Sequence, residues 1–206
     1  MNNNFLPYKI SVFLLFLFFV QVVYGATPSD SILKVFNKEL ENRHIYYERK
    51  EDAMERIKQQ LYQARELNAR FELSDRLFNE YIVYQYDSAW EYAQNTLVIA
   101  KELNNDALIT KSNLNILRSL VLAGLYKESF ELINKLESQE MSDDLKIRYN
   151  KNCLRFYQDL LLYSRSDQFQ KEYGDKVIQY SDSLMLLLKP YTFEYDNYNM
   201  IYCTDD

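Results

Sequence analysis

Glycine, proline, cysteine and histidine are all scarce in this chain. Only three glycines, three prolines, two cysteines and one histidine occur among its 206 residues. Glycine and proline supply the tight turns that all-β folds need, so their scarcity excludes such a fold. Zinc sites and catalytic triads need several His or Cys side chains, or a His beside a nucleophile. His44 and the distant pair Cys153 and Cys203 therefore predict neither kind of site.

Other catalytic signatures are missing as well. The three glycines are scattered, so there is no glycine-rich loop to hold a phosphate. Carboxylate pairs such as Asp143-Asp144 are typical of helix caps and solvated charge. The sequence therefore predicts no catalytic residue, no metal ligand and no cofactor, with an enzyme that holds two carboxylates in a cleft as an alternative. Whether Cys153 and Cys203 form a disulfide is open.

The residues that are abundant favour helices. Hydrophobic residues make up 48% of the chain and charged residues 26%, which is enough for a packed core. Leu, Glu, Lys, Gln and Ala are frequent and helix breakers are few, so we expect helices joined by short loops. The net charge of −6 opposes nucleic-acid binding, because phosphate contacts need clustered Lys and Arg.

The first 25 residues differ from the rest. An apolar run from 10 to 23 follows a start with a single charge, Lys9, and small residues precede a predicted cut after Gly25. This layout is typical of a secretory signal peptide. As a helix the run would span only about 21 Å, less than the roughly 30 Å of a bilayer core, which disfavours the alternative of a membrane anchor. We therefore expect an exported, periplasmic protein.

Apolar residues recur at spacings of three, four and seven from residue 29 onward, and polar or breaking residues interrupt this pattern. The interruptions predict helix ends near Asn42–His44, Gln85, Asn104–Asp106, Gly124 and Pro190, with further loops at 140–144 and 164–168. We divide the chain into a signal peptide (1–25), an N-terminal helical cap (26–66), helical repeats (67–189) and the start of a further helix or tail (190–206).

Two of the predicted hairpins share a pattern 40 residues apart. Tyr86 is followed three residues later by Ala89, and Tyr126 by Ser129 after a turn at Gly124. We expect the glycine to avoid crowding a neighbouring helix, the tyrosine to fill the wedge between hairpins, and the small residue to let helices approach closely. Helix pairs that recur at this period predict an all-α fold, an α-solenoid of antiparallel helix pairs.

The segment Gly124-x-Tyr126-x-x-Ser129 resembles the turn of the tetratricopeptide repeat (TPR), Gly-x-Tyr-x-x-Ala. The copy at Tyr86 has Tyr84 in place of the glycine, and a weaker third copy begins near Phe169, at an offset of 43. The usual period is about 34 residues, so generic paired helices are the alternative to a TPR-like solenoid.

A second resemblance covers most of residues 29–189. The signature Asn-Arg-x-x-Tyr-Tyr-x-x-Lys-Glu at 42–51 is similar to the exported start of a bacterial family of TPR-bearing membrane proteins of unknown function, some labelled transcriptional regulators. The resemblance implies repeats outside the inner membrane, followed by a transmembrane helix, a coiled coil and a cytoplasmic region. This chain stops before those parts, so we expect either a truncated sequence or a soluble relative, with contact to a membrane only through a missing downstream segment.

The TPR resemblance also implies a concave groove lined by the first helix of each pair. The residues expected to face a partner there are Ser74, Phe78 and Tyr81 from one pair and Lys111, Leu114 and Arg118 from the next. We therefore expect a non-catalytic, exported interaction module for a protein or peptide, the sensory or scaffolding part of a membrane-anchored regulator. The alternative is a periplasmic protein that binds a small ligand, a sugar or a peptide, in an aromatic-lined pocket.

Overall fold

The computed structural model describes residues 28–190 and 192–202, and the regular structure among them is entirely helical. The predicted signal peptide lies outside the described residues, as does Cys203. The helices are α1 (Pro28–Glu41), α2 (Arg43–Gln63), α3 (Leu67–Tyr81), α4 (Tyr86–Glu102), α5 (Asp106–Leu122), α6 (Tyr126–Glu137), α7 (Asp143–Tyr163), α8 (Asp167–Leu187) and α9 (Phe193–Tyr202).

The predicted interruptions coincide with the helix ends. Asn42 separates α1 from α2, and Gln85 is the N-cap residue of α4. The side chain of Asn105 caps α5 by accepting a hydrogen bond of 3.1 Å from the amide of Leu108. These breaks were readable from the sequence because capping residues and turn formers stand where the apolar periodicity stops.

The chain divides between Ala53 and Met54 into two compact units. The division falls inside α2, whereas the sequence predicts a boundary between cap and repeats at residue 66, which stays a prediction. In the first unit the Tyr46 hydroxyl donates to Glu39 at 3.1 Å, and His44 lies exposed beside the Glu41 carbonyl at 2.9 Å.

The second unit is built from helices that pack on their neighbours in order. α3 pairs with α4, α5 with α6, and α7 with α8, and α5 also packs against α7. Direct contact between the first helices of successive hairpins is characteristic of a TPR-like α-solenoid, so the predicted all-α fold is confirmed. α5 thus packs on α7, and α3 meets α5 through the contacts of Asp75 with Lys111 and Asn115.

A left-handed residue makes the turn between α5 and α6. Gly124 has a φ of 71°, and its amide donates to Val121 while that of Leu125 donates to Leu120, both at 3.0 Å. This is the double hydrogen bond of a Schellman C-cap. A Cβ at Gly124 would meet only the Tyr126 ring, at 4.0 Å, so the expectation that a side chain would crowd a neighbouring helix is wrong. The positive φ itself requires glycine.

The two hairpins 40 residues apart match where the sequence pattern places them. Tyr86 and Tyr126 are the first residues of α4 and α6, and Ala89 and Ser129 are both fully buried. Small side chains at these positions allow the helices of each hairpin to approach closely. The third copy is less regular, because α8 begins two residues before Phe169.

The two tyrosines differ in their surroundings. The Tyr126 ring lies edge-on to Phe156 of α7, with ring centroids 6.0 Å apart, and so fills part of the space between two hairpins. Tyr86 is 37% exposed. The wedge role predicted for both rings therefore fits Tyr126 better than Tyr86.

Candidate functional site

A cavity of about 620 Å³ lies along the first helices of three successive hairpins. Its walls are formed by side chains of α3, α5, α7 and α9 and of the residues just after α3. Its lining residues are Asn79, Ile82, Val83, Leu114, Asn115, Arg118, Val121, Leu122, Arg148, Lys151, Asn152, Arg155 and Tyr198. Of the six residues predicted to line a groove, Leu114 and Arg118 are among these lining residues.

Two side-chain hydrogen bonds, called rungs below, join the helices that form the cavity wall. Asn115 of α5 donates a hydrogen bond of 2.7 Å to the Asp75 carboxylate of α3. Asn152 of α7 donates one of 2.9 Å to the backbone carbonyl of Leu114 of α5. Asn115 and Asn152 are each the tenth residue of their helix, so the two rungs use equivalent positions. Buried amides that are satisfied in this way fix the spacing of successive hairpins.

Asp75 also anchors Lys111. The Lys111 ammonium lies 3.0 Å from Asp75 and 4.0 Å from Glu72, and it sits over the Phe71 ring at 5.2 Å from the centroid. Asp75 is only 6% exposed, so its charge needs these partners. Lys111, predicted to face a partner, is therefore held by α3 and does not line the cavity.

Three other predicted groove residues lie in the core. Ser74, Phe78 and Tyr81 are 0%, 0% and 2% exposed. Ser74 accepts a hydrogen bond of 3.1 Å from Asn95 of α4, and the Tyr81 ring stacks on Tyr92 at 5.7 Å. Through these contacts Ser74 and Tyr81 face α4, and Phe78 is buried in the core.

Leu114 and Arg118 are brought together in the cavity wall. Leu114 is nearly buried, at 2% exposure, and Arg118 is partly buried. Contact of any of the six predicted groove residues with a partner stays a prediction.

Four cations line the cavity, and sequence reasoning missed three of them. Arg148, Lys151 and Arg155 follow one another on α7 at the spacings i, i+3 and i+7, which place them on one face of the helix. The signal was readable, because Arg148 and Arg155 stand 37 residues after Lys111 and Arg118. The longer offset of 40 between the first two hairpins concealed it.

Three of the four cations have carboxylate partners. Arg148 lies 3.9 Å from Asp144, and Arg155 lies 3.0 Å from Asp159, each within α7. Lys151 pairs with Glu194 of α9.

Arg118 differs from the other three cations. Among the described residues no carboxylate lies within ion-pairing distance of its guanidinium. Burial lowers the pKa of Arg118, the positive charge of Arg148 lowers it further, and Tyr198 opposes both. The cavity therefore holds a partly buried positive charge that the described part of the chain does not neutralise.

A second buried titratable cluster lies between α7 and α8. Tyr149 and Tyr180 surround the thiol of Cys153, which is 0% exposed. Burial raises the pKa of Cys153 to about 12 and raises the pKa of both tyrosines. A thiol with so high a pKa is a poor nucleophile, so this cluster serves packing.

The comparison with known families decides the classification. The family model of the SusR N-terminal TPR domain matches residues 40–205. The chain belongs to this family. No curated protein and no solved structure matches this chain significantly.

Membership in the SusR-type TPR family fixes the general character of the chain. TPR folds are non-catalytic repeats that mediate protein–protein interactions, and the cavity lies on the layer of first helices. Within residues 28–190 and 192–202, no helix is both long and apolar enough to span a bilayer. The same residues contain no group of three or more His, Cys, Asp or Glu side chains placed to bind a metal ion.

Proposed function

We propose that this chain is a non-catalytic interaction module whose cavity on α3, α5 and α7 receives a segment of a protein partner. The observation that carries this proposal is the placement of the cavity on the first helices of three successive hairpins, where a solenoid presents an extended surface. The exposed apolar side chains Val83 and Leu122 at this surface add contact area to the polar groups.

The wider role is the sensory or scaffolding part of an exported, membrane-anchored regulator. The apolar run at 10–23 and the small residues before Ala26 support export. An alkaline phosphatase reporter fused after Asp206 tests it, because this enzyme is active only after export. We expect activity that is lost when residues 1–25 are deleted. Equal activity with and without those residues would contradict export.

Site-specific crosslinking tests the binding surface. A photoreactive amino acid replaces Leu122, which lines the cavity and is 46% exposed, or Leu186, which is 88% exposed on α8 outside the cavity. We expect a defined crosslinked species in envelope fractions from the position at Leu122 and none from Leu186. Identical crosslinking patterns at both positions, or none at either, would remove the support for a partner in the cavity.

A small ligand is the second candidate. A volume of about 620 Å³ falls in the range of roughly 300–1,000 Å³ for small-molecule pockets. The side chains of Asn79, Asn115 and Asn152 line it. Each of these amides donates a hydrogen bond to Asp75 or Leu114 and has further donor and acceptor capacity for hydroxyl or peptide groups. Thermal unfolding with oligosaccharides and with peptides separates the candidates. A shift with an oligosaccharide alone favours the small-ligand function.

A further inference from the structure

The charge of the cavity is opposite to that of the chain. The net charge of the whole sequence is −6, yet Arg118, Arg148, Lys151 and Arg155 line the cavity, and its described lining includes no carboxylate. Lining of one sign in a concave, partly apolar site strengthens the local field and attracts ligands of the opposite charge.

Arg118 is one source of this positive field. It is partly buried beside Arg148 and has no carboxylate partner within the described residues, which is unfavourable for the unliganded protein. An anionic group in the cavity would remove this repulsion. Arginine also offers a planar fork of donors that matches a carboxylate with two parallel hydrogen bonds.

The other three cations can exchange their partners. Arg148 and Arg155 pair with carboxylates one turn away on the same helix, and pairs of this kind near the surface contribute little to stability. Lys151 already receives an acidic side chain from another helix, Glu194 of α9. This pair shows that the cavity edge accepts a carboxylate carried on a polypeptide.

The three cations of α7, Arg148, Lys151 and Arg155, form a row whose length distinguishes a peptide from a small anion. Arg148 and Arg155 are seven residues apart on α7, which separates them by about 10 Å along the helix axis. A peptide in the polyproline II conformation rises about 3.1 Å per residue and completes a turn every three residues. Acidic side chains three residues apart therefore lie on one face of the peptide, about 9 Å apart, and match this distance. A single small anion would reach only part of the row.

We propose that the cavity binds an acidic segment of a partner protein, with Arg118 as the central contact and the α7 cations as a row along it. This inference rests on the proposed function and adds the chemical class of the ligand. Charge complementarity of this kind mainly sets specificity and the rate of association.

Fluorescence anisotropy with two labelled peptides tests the charge requirement. The first peptide carries glutamates at every third position, and the second carries glutamines in their place. The full chain is used as it is purified after expression with its own N-terminus. We expect the glutamate peptide to bind about tenfold more tightly, with an affinity that falls as salt rises. Equal binding of both peptides, or binding that salt does not affect, would overturn the proposal.

Matched variants assign the effect to the cavity. Arg118→Gln is expected to weaken binding of the glutamate peptide about tenfold, and Arg118→Lys by less, because it keeps the charge and loses the fork. Arg165→Gln removes the same charge from the exposed loop between α7 and α8 and is expected to have no effect. If Arg165→Gln lowers the affinity for the glutamate peptide as much as Arg118→Gln does, the effect comes from the overall charge of the protein. The assignment of the binding site to the cavity would then be wrong.

Two further measurements complete the test. The midpoint of thermal unfolding of Arg118→Gln without ligand is expected to be unchanged or higher, since no partner is lost; a lower midpoint would show that Arg118 serves stability. Inorganic phosphate is expected to compete poorly. If phosphate displaces the labelled peptide as well as unlabelled peptide does, the site takes a single small anion and the proposal is wrong.

Failure of this inference is distinguishable from failure of the proposed function. A partner crosslinked at Leu122 whose binding shows no preference for acidic segments would overturn only the charge assignment. Absence of any crosslink at Leu122 would count against the interaction surface itself.

Discussion

Asn115 donates a hydrogen bond of 2.7 Å to Asp75 across the contact between α5 and α3, at a separation of 40 residues. The same carboxylate holds the Lys111 ammonium at 3.0 Å. A buried charge with two partners on the next hairpin fixes the register of the two first helices. Its removal leaves Asn115 without this acceptor and leaves Lys111 with only the more distant Glu72, at 4.0 Å.

The first prediction concerns this carboxylate. Asp75→Ala is expected to lower the free energy of unfolding by about 3 kcal/mol, because the positive charge of Lys111 loses its main partner. Urea denaturation monitored by circular dichroism measures the change. Glu131→Ala removes an acid that pairs with Lys127 at 3.9 Å on the exposed face of α6, and is expected to cost less than about 0.5 kcal/mol. Equal losses in both variants would contradict the assignment.

The second prediction compares two glycines in opposite settings. Gly124→Ala is expected to destabilise the chain by about 1 kcal/mol, since alanine is strained at a φ of 71°. Gly174 lies inside α8, where a Cβ would meet nothing within 4 Å. Gly174→Ala is therefore expected to raise the free energy of unfolding by about 0.5–1 kcal/mol. The two alanine variants should thus move the thermal midpoint in opposite directions, and a shift of the same sign would refute this account.

The third prediction tests the aromatic wedge. Tyr126→Ala is expected to cost about 2 kcal/mol, because the ring and its edge contact with Phe156 are lost. The cost is smaller than for a fully buried ring, since Tyr126 is only partly buried. Tyr86→Ala at the equivalent helix start is expected to cost less than about 1 kcal/mol, since this ring is 37% exposed. Chemical denaturation of both variants gives the comparison. A larger loss at Tyr86 would reverse the assignment.

The fourth prediction concerns alkaline pH. The pKa of Cys153 is raised to about 12 by burial, whereas a thiol in the unfolded chain titrates near 8.5. The unfolded state therefore releases this proton first, and stability present below about pH 8.5 is lost as pH rises toward 12. The slope from this thiol is about 1.4 kcal/mol per pH unit.

Cys153→Ala supplies the control for that slope. We expect the free energy of unfolding to fall less steeply between about pH 9 and 10 in the variant than in the parent chain, as measured by urea titrations at each pH. Tyr149 and Tyr180, whose pKa values burial also raises, act in the same direction at higher pH. Identical slopes in the two proteins would show that the thiol does not contribute.

The helix boundaries could be predicted because local chemistry determines them. Asn42, Gln85, Asn105 and Gly124 interrupt a clear apolar period, and each marks a helix end. The Tyr86 and Tyr126 offset identified the repeated hairpin for the same reason.

The residues that line the cavity were harder to predict from the sequence, because they depend on which side of each first helix packs on the second helix of its hairpin. Phe78 and Tyr81 lie on the side of α3 that packs on α4, while Arg118 lies on the open side of α5. A shift of one or two residues in register separates these outcomes, and sequence spacing does not resolve it. The row on α7 was hidden by the change of offset from 40 to 37 residues.

The rungs at Asp75–Asn115 and Leu114–Asn152 have a mechanical consequence. Each rung ties only one hairpin to the next, so the three first helices behave like links joined in series. Tension applied at α7 must pass through α5 before it reaches α3. A partner that displaces α7 is therefore expected to shift α5 first and α3 only through α5.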